Sequence, residues 1–301
     1  MNLNWDDVRY FLAVCRRHSF VGAASELKVT HTTVARRISS LEEALQTRLF
    51  LRTERGTNLT PAGESLLPYA EQIESNCINI TAHVSEQENP ISGVIRIGAP
   101  DGIGTYFLSS CLAELQSLYP HLEVELIAVP VYYSLSKREI DILITVHQPS
   151  RGKTIFTKLI DYQLGLFSSA SYLAGKNPPA TRKELRQHRL VGYIEEMLFD
   201  QDLDFMEEIL PGLSAEFRTP TVVAQLQAVK AGAGIGVIPF FMAHQEPDLI
   251  PILAGHSIRK SYWLQVNPDS QQLARVKTTI EFITGQIKAA AGQFLEYHPP
   301  T

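Results

Sequence analysis

Only three cysteines occur in the 301 residues, Cys15, Cys77 and Cys111, far apart and with no CxxC. An odd, scattered set supplies neither a disulfide framework nor a zinc site, and buried structural thiols are the plainer reading. The nine histidines form no HxxxH or HExxH pair, and neither GxSxG nor a phosphate-binding GxxxxGKS occurs. The usual hydrolase, metalloprotease and nucleotide signatures are therefore missing. Their absence lowers the expectation of an enzyme without removing it; no catalytic residue, metal or cofactor is expected. No run of about 18 apolar residues is present, which excludes a membrane-spanning helix. The opening MNLNWDDVRYFLAV is acidic where an export signal needs a basic segment, so the expected location is the cytoplasm.

What is present is ordinary in bulk and uneven in detail. The chain is 45% apolar and 20% charged, and its length suits two or three domains with their own cores. The formal net charge is -5, yet residues 1–60 hold nine Lys or Arg against six Asp or Glu, and residues 61–301 hold 18 against 26. A basic segment on an acidic body points to a localised anionic partner.

Residues 5–17 read as a helix, with Val8, Phe11, Leu12 and Cys15 at helical spacing. Ser19 caps a second helix whose Ala23, Ala24 and Leu27 face inward, and the alanines permit close approach of a neighbour. Lys28 and Val29 leave room only for a tight turn. Thr30 then caps a third helix with Val34, Ile38, Leu41 and Leu45 at spacings of 4, 3 and 4. Two short helices across a tight turn describe a helix-turn-helix, expected at about 20–39. At about 100° per residue, Arg36 lies about 170° from the apolar stripe, Thr32 about 150° and Arg37 about 70°. In a major groove, Arg36 and Thr32 would face base edges, while His31, Thr33 and Arg37 at the margins would meet phosphates, and the cap Thr30 belongs to the same DNA-binding set. The alternative is a solvated face on which arginines pair with carboxylates of the same chain.

Leu49 to Leu51 and Thr57 to Leu59 can pair as short strands around ERGTN, placing Arg52 and Arg55 on a hairpin wing where cations would cover flanking phosphates. WDDVRYFLAVCRRHSFVGAASEL, THTTVARRISSLEEAL and RLFLRTERGTNLTPAGESL, in that order, resemble the DNA-binding domain of LysR-type transcriptional regulators, including the LFxR and LTxAG phrases. Ala35 stands where many members carry a hydroxyl residue. The resemblance implies a regulator of transcription that binds double-stranded DNA as a homodimer, often as a dimer of dimers.

Thr60 and Pro61 begin a further helix. Along it Leu66, Ala70, Ile73, Cys77, Ile80 and Val84 form a heptad seam. Either a partner helix or the chain's own body covers it; the resemblance implies the partner. In an antiparallel pair Cys77 faces the neighbourhood of Ile73, whereas a parallel pair brings two Cys77 together. SEQENPISG ends the helix. The expected divisions are 1–60 for the winged helix-turn-helix, 61–89 for the dimerisation helix and 90–301 for an effector-binding domain.

Beyond Gly93, strand-like VIRIGA, LEVELIAV, EIDILITV and KSYWLQV alternate with helix-like runs, ending in a helix at 273–287, so an α/β domain with parallel strands and two lobes is expected. QLQAVKAGAGIGVIPFF, where Gly232 closes a helix and Pro239 ends a strand, resembles the LysR effector domain, whose fold is similar to periplasmic solute-binding proteins. Ligands of such folds sit where strand ends and helix N-termini meet a cleft. The candidates there are Pro100, Asp101, Gly102, Thr145, Tyr193, Phe199 and Thr221. Asp101 satisfies helix amides with its own charge and repels a second anion, so a neutral or cationic small-molecule effector, or none, is expected; a plain cap is the alternative.

Overall fold

A computed structural model describes residues 4–53, 56–85, 91–129, 140–148, 155–198, 203, 205–268 and 270–298. The chain divides into two compact units, Met1–Gln87 and Glu88–Thr301.

In the first unit, α1 (Trp5–Arg17) starts at Asn4, whose side chain accepts from Asp6 N, and carries Asp6 and Asp7 in its first turn, where carboxylates favour the helix N-terminus. α2 (Phe20–Leu27) is capped by Ser19 and stops at Lys28, which adopts a left-handed φ of 54°. Val29 N then closes on Ala24 O at 3.0 Å. α3 (His31–Leu45) is capped by Thr30. The helices meet over Val8, Phe11, Leu12, Val14, Ala23, Val34, Ile38 and Leu41, all nearly solvent-free. The hairpin β1 (Phe50–Thr53) and β2 (Gly56–Leu59) pairs Phe50 with Leu59. It is fixed to the helices by Phe50, whose ring lies 5.2 Å from Phe11 and 6.0 Å from Phe20.

α4 (Pro61–Ser85) begins where the Thr60 hydroxyl donates to Arg48 O and accepts from Gly63 N. Gly63 explains the LTPAG phrase: a Cβ there would stand 2.3 Å from Leu49 O, so only glycine lets the helix pass the wing. The heptad seam is divided. Ala70 is fully buried, and Leu66 and Ile73 pack against the core of this unit, whereas Ile80 is exposed. Arg16 of α1 adds an ion pair to Glu74. The Val84 side chain lies outside the described residues.

The second unit holds an eight-stranded sheet in the order β4-β3-β5-β10-β6-β9-β7-β8. One lobe contains β3 (Gly93–Ala99), β4 (Leu122–Ala128) and β5 (Ile142–Thr145), with a helix running through α5 (Asp101–Ile103), one π-helical turn (Gly104–Leu108) and α6 (Ser109–Leu118). The other contains β7 (Leu190–Tyr193), β8 (Phe217–Thr219), α9 (Val222–Lys230) and β9 (Ile235–Pro239). The remaining strands, β6 (Ile155–Ser169) and β10 (Leu249–Val266), are long and belong to both. They run antiparallel to each other; β10 also pairs with β5, and β6 with β9, in antiparallel fashion. Among the described residues the expectation of parallel strands therefore holds only at β3/β4, β3/β5, β7/β8 and β7/β9. The physical reason is the path: the chain leaves the first lobe along β6 and returns along β10, so the connecting ribbon must be antiparallel. α11 (Ala274–Ala289) then covers the first lobe with Val276, Ile283 and Ile287, and Arg275 Nε donates to Val94 O at 3.1 Å.

Candidate functional site

The outward face of α3 is built from its first turns. Thr30 Oγ1 accepts from Thr33 N at 3.3 Å and lies 2.9 Å from the hydroxyls of both Thr32 and Thr33. His31, Thr32, Arg36, Ser39 and Ser40 are exposed. No hydrogen bond or ion pair engages the Arg36 guanidinium among the described residues. Arg37 differs. Its Nη1 donates to Asp7 Oδ1 at 3.0 Å, its Nη2 lies 3.5 Å from Asp6 Oδ2, and its guanidinium lies 5.5 Å from the Tyr10 ring centroid. The hydrogen bond to Asp7 raises the Arg37 pKa above its ordinary value, against a smaller opposing effect of desolvation. Of the two partners open to Arg37 in the sequence, a carboxylate of its own chain holds it, and the result ties α3 to α1.

One residue of this region was not singled out by sequence. Glu42 is buried and accepts from Leu49 N at 2.8 Å, Phe50 N at 3.4 Å and Arg48 Nη1 at 2.9 Å. It anchors the start of the wing to α3. The legible signal was an acid four residues after Ile38, inside the apolar stripe. The wing is also tied to the turn after α1 by Thr57 N donating to His18 O at 3.1 Å. Arg52 pairs through its backbone with Thr57; its side chain, and all of Arg55, lie outside the described residues.

In the second unit the structure brings Pro100, Asp101, Gly102 and Thr221 together. Asp101 begins α5, yet its Oδ2 accepts from Val223 N of α9 at 3.1 Å, across the lobes. The nearby backbone amides of Val222, Asp101 and Gly102 also favour its charged form. Burial raises its pKa above the usual carboxylate range, and the four amides oppose that only in part. Thr221 caps α9, with Oγ1 accepting from Ala224 N at 3.2 Å. The backbones approach closely: a Cβ on Gly102 would stand 2.8 Å from Val222 Cγ1 and 3.1 Å from Met242 Sδ. The Tyr193 phenol is pushed well up by burial and by the Asp101 charge. Beside it, Gln225, Phe205 and Met206 enclose about 20 Å³. Thr145 is engaged elsewhere, donating to His147 O and accepting from Gln265 Nε2. Phe199 lies outside the described residues. Two helix starts thus converge on one carboxylate of the protein itself, in the position where such amides otherwise hold an anion.

Burial pushes the Cys15 thiol up to about 12 and Cys111 up to about 11, which disfavours the reactive thiolate. Among the described residues no group of three or more His, Cys, Asp or Glu could hold a metal ion, and no helix is long and apolar enough to cross a membrane.

Residues 5–64 match the family model described as bacterial regulatory helix-turn-helix protein, lysR family, and residues 88–288 match that of the LysR substrate binding domain. The HTH-type transcriptional regulator PtxR of Pseudomonas aeruginosa is 25% identical over 289 residues, covering 93% of this chain and 92% of PtxR. The iron-regulated virulence regulatory protein IrgB of Vibrio cholerae is 25% identical over 256 residues, 82% of this chain and 86% of IrgB. In fold, full-length OxyR from Pseudomonas aeruginosa aligns over 99% of this chain and 100% of its own, with a TM-score of 0.72 at 16% identity. With a capped helix-turn-helix and wing in one unit, two lobes on a shared ribbon in the other, and both family models matched in order, the chain belongs to the LysR family of transcriptional regulators.

Proposed function

We propose that the protein acts in the cytoplasm as a homodimer, or a dimer of dimers, that reads an inverted repeat in duplex DNA and changes arrangement when a small molecule occupies the interlobe site. The observation that carries the DNA reading is the division of labour on α3: Arg37 is held by Asp7, while Arg36 is exposed and uncommitted beside Thr32. An arginine so presented can give two hydrogen bonds to guanine, and the exposed His31 and the threonines beside it flank it with phosphate contacts. The exposed Ile80 leaves the distal part of the α4 seam for a partner helix. The Asp101 carboxylate selects a neutral or cationic effector, whose differential affinity for two interlobe arrangements would shift the placement of the DNA-binding heads.

The test is selection of bound duplexes from random DNA with the full-length protein, followed by anisotropy titrations of Arg36→Ala on the selected and on random sequence. The expected outcome is an inverted repeat and a loss of about 1 to 3 kcal/mol of discrimination in the variant. Binding of both DNAs by Arg36→Ala as by the wild type would refute the assignment of Arg36.

A further inference from the structure

β10 leaves its ladder with β6 in the second lobe. Ile252 pairs with Leu166 and Ser257 with Gly165, so β10 advances five residues while β6 advances one. Residues 253–256 bulge out, and Leu253 takes a left-handed φ of 51° to do so. Beneath the bulge lies a cavity of about 310 Å³. Three rings wall it: Phe167 and Phe240 are 6.2 Å apart, and the Tyr297 ring lies 4.8 Å from the first and 5.8 Å from the second. Tyr297 is held there because His244 Nε2 bonds to Glu296 O at 2.6 Å and Phe294 is fully buried. Gly165 leaves the floor open; a Cβ there would stand 2.7 Å from Phe240 Cε1. The polar lining includes Gln163, whose Oε1 accepts from Ser257 Oγ at 2.6 Å, and His256. Among the described residues neither carboxylate nor Lys or Arg lines it.

The Tyr297 hydroxyl is buried with no hydrogen-bond partner among the described residues. With essentially no accessible surface it is out of reach of a molecule in the cavity, so the polar contact there falls to Gln163 and His256 of the lining. The volume lies at the lower end of the roughly 300 to 1,000 Å³ of small-molecule sites. At the interlobe position, by contrast, the Asp101 carboxylate already accepts from Val223 N. We propose that the second lobe carries a small-molecule site of its own under the β10 bulge, which takes a neutral, flat aromatic compound bearing one hydrogen-bonding group. It stands apart from the interlobe site and does not depend on what that site binds.

The test uses 2-naphthol and naphthalene as probes of the full-length protein, by calorimetry and probe fluorescence, with hydrogen exchange to locate the footprint. The expected result is one 2-naphthol per chain, protection at residues 163–167 and 251–257, and tighter binding than naphthalene. Gln163→Leu removes a polar group of the lining at similar size, and is expected to weaken 2-naphthol about fivefold while leaving naphthalene unchanged. Asp101→Asn is expected to alter neither. Failure to saturate at the solubility limit, protection at 101–102 and 221–225 instead, or an unchanged preference in Gln163→Leu would overturn the site. DNA binding through Arg36 is read separately, so that failure leaves the regulator assignment standing.

Discussion

Replacing Glu42 by alanine removes the acceptor of two amides at the base of the wing. Leu49 is 1% exposed and Phe50 9%, so water does not take over. An amide stranded in this way costs about 1 to 3 kcal/mol. The Leu49 bond is short at 2.8 Å and the Phe50 bond long at 3.4 Å, which puts the combined loss at about 3 kcal/mol. Glu42→Gln separates acceptor from charge: it retains a side-chain oxygen and gives up only the pair with Arg48, whose side chain is 81% exposed. Exposed pairs contribute at most about 1 kcal/mol, so the glutamine variant should lose no more than that. Urea unfolding followed by circular dichroism, with hydrogen exchange at Leu49 and Phe50, measures both. The alanine variant should unfold first at the wing, exchange both amides faster and bind DNA more weakly, because the wing loses its attachment to α3. Equal losses in the two variants would make the charge, not the acceptor, responsible. Unchanged exchange at Leu49 in Glu42→Ala would refute the reasoning outright.

Arg55→Ala should weaken binding to operator and random DNA alike and reduce the salt slope by roughly one, measured by anisotropy at several salt concentrations. Burial holds the Asp101 carboxyl above its ordinary 3.8, so just above that pH the folded chain retains a proton that the unfolded chain has shed. The contribution of Asp101 to stability therefore falls as pH rises through that window, and Asp101→Asn should lose this slope in urea titrations run from pH 4 upward. Calorimetry with a small dicarboxylate should show no tight binding to the wild type, since Asp101 already occupies the amides of α9. Cys15 and Cys111, with thiols raised to about 12 and about 11, should alkylate slowly at pH 8 in the native protein, followed by mass spectrometry. If the α4 helices pair antiparallel, oxidative cross-linking should not capture two Cys77 within a dimer; efficient capture would require the parallel arrangement.

Local chemistry made the first unit legible. Ser19, Thr30 and Thr60 each cap the helix that their side chains favour, because a hydroxyl and the amides that it satisfies lie within three residues of one another. Helical rotation separated Arg36 from Arg37 without a structure, but Asp7 as the carboxylate holding Arg37 was out of reach, since 30 residues separate them. The heptad seam marked an apolar stripe without naming its cover, and the fold gives its first half to the chain's own core. In the second unit β6 was missed because its mixed residues, among them Thr157, Lys158, Asp161 and Gln163, do not read as an apolar run. The cross-lobe bond of Asp101 was hidden for the same reason as that of Arg37: its partner lies 122 residues away.

The shared ribbon of β6 and β10 also fixes an order of events at synthesis. β3, β4 and β5 emerge early, yet Thr145 of β5 has its antiparallel neighbour at Trp263, and the face of β3 awaits α11. At roughly 5 to 20 residues per second, that interval is on the order of ten seconds. Through it the first lobe lacks both the strand that closes its sheet and the helix that covers it, while most of the second lobe, inserted between the two halves, is made in one stretch. A stop codon shortly after β10 would accordingly leave the first lobe without its covering helix, and would take from the second only the late rings Phe294 and Tyr297.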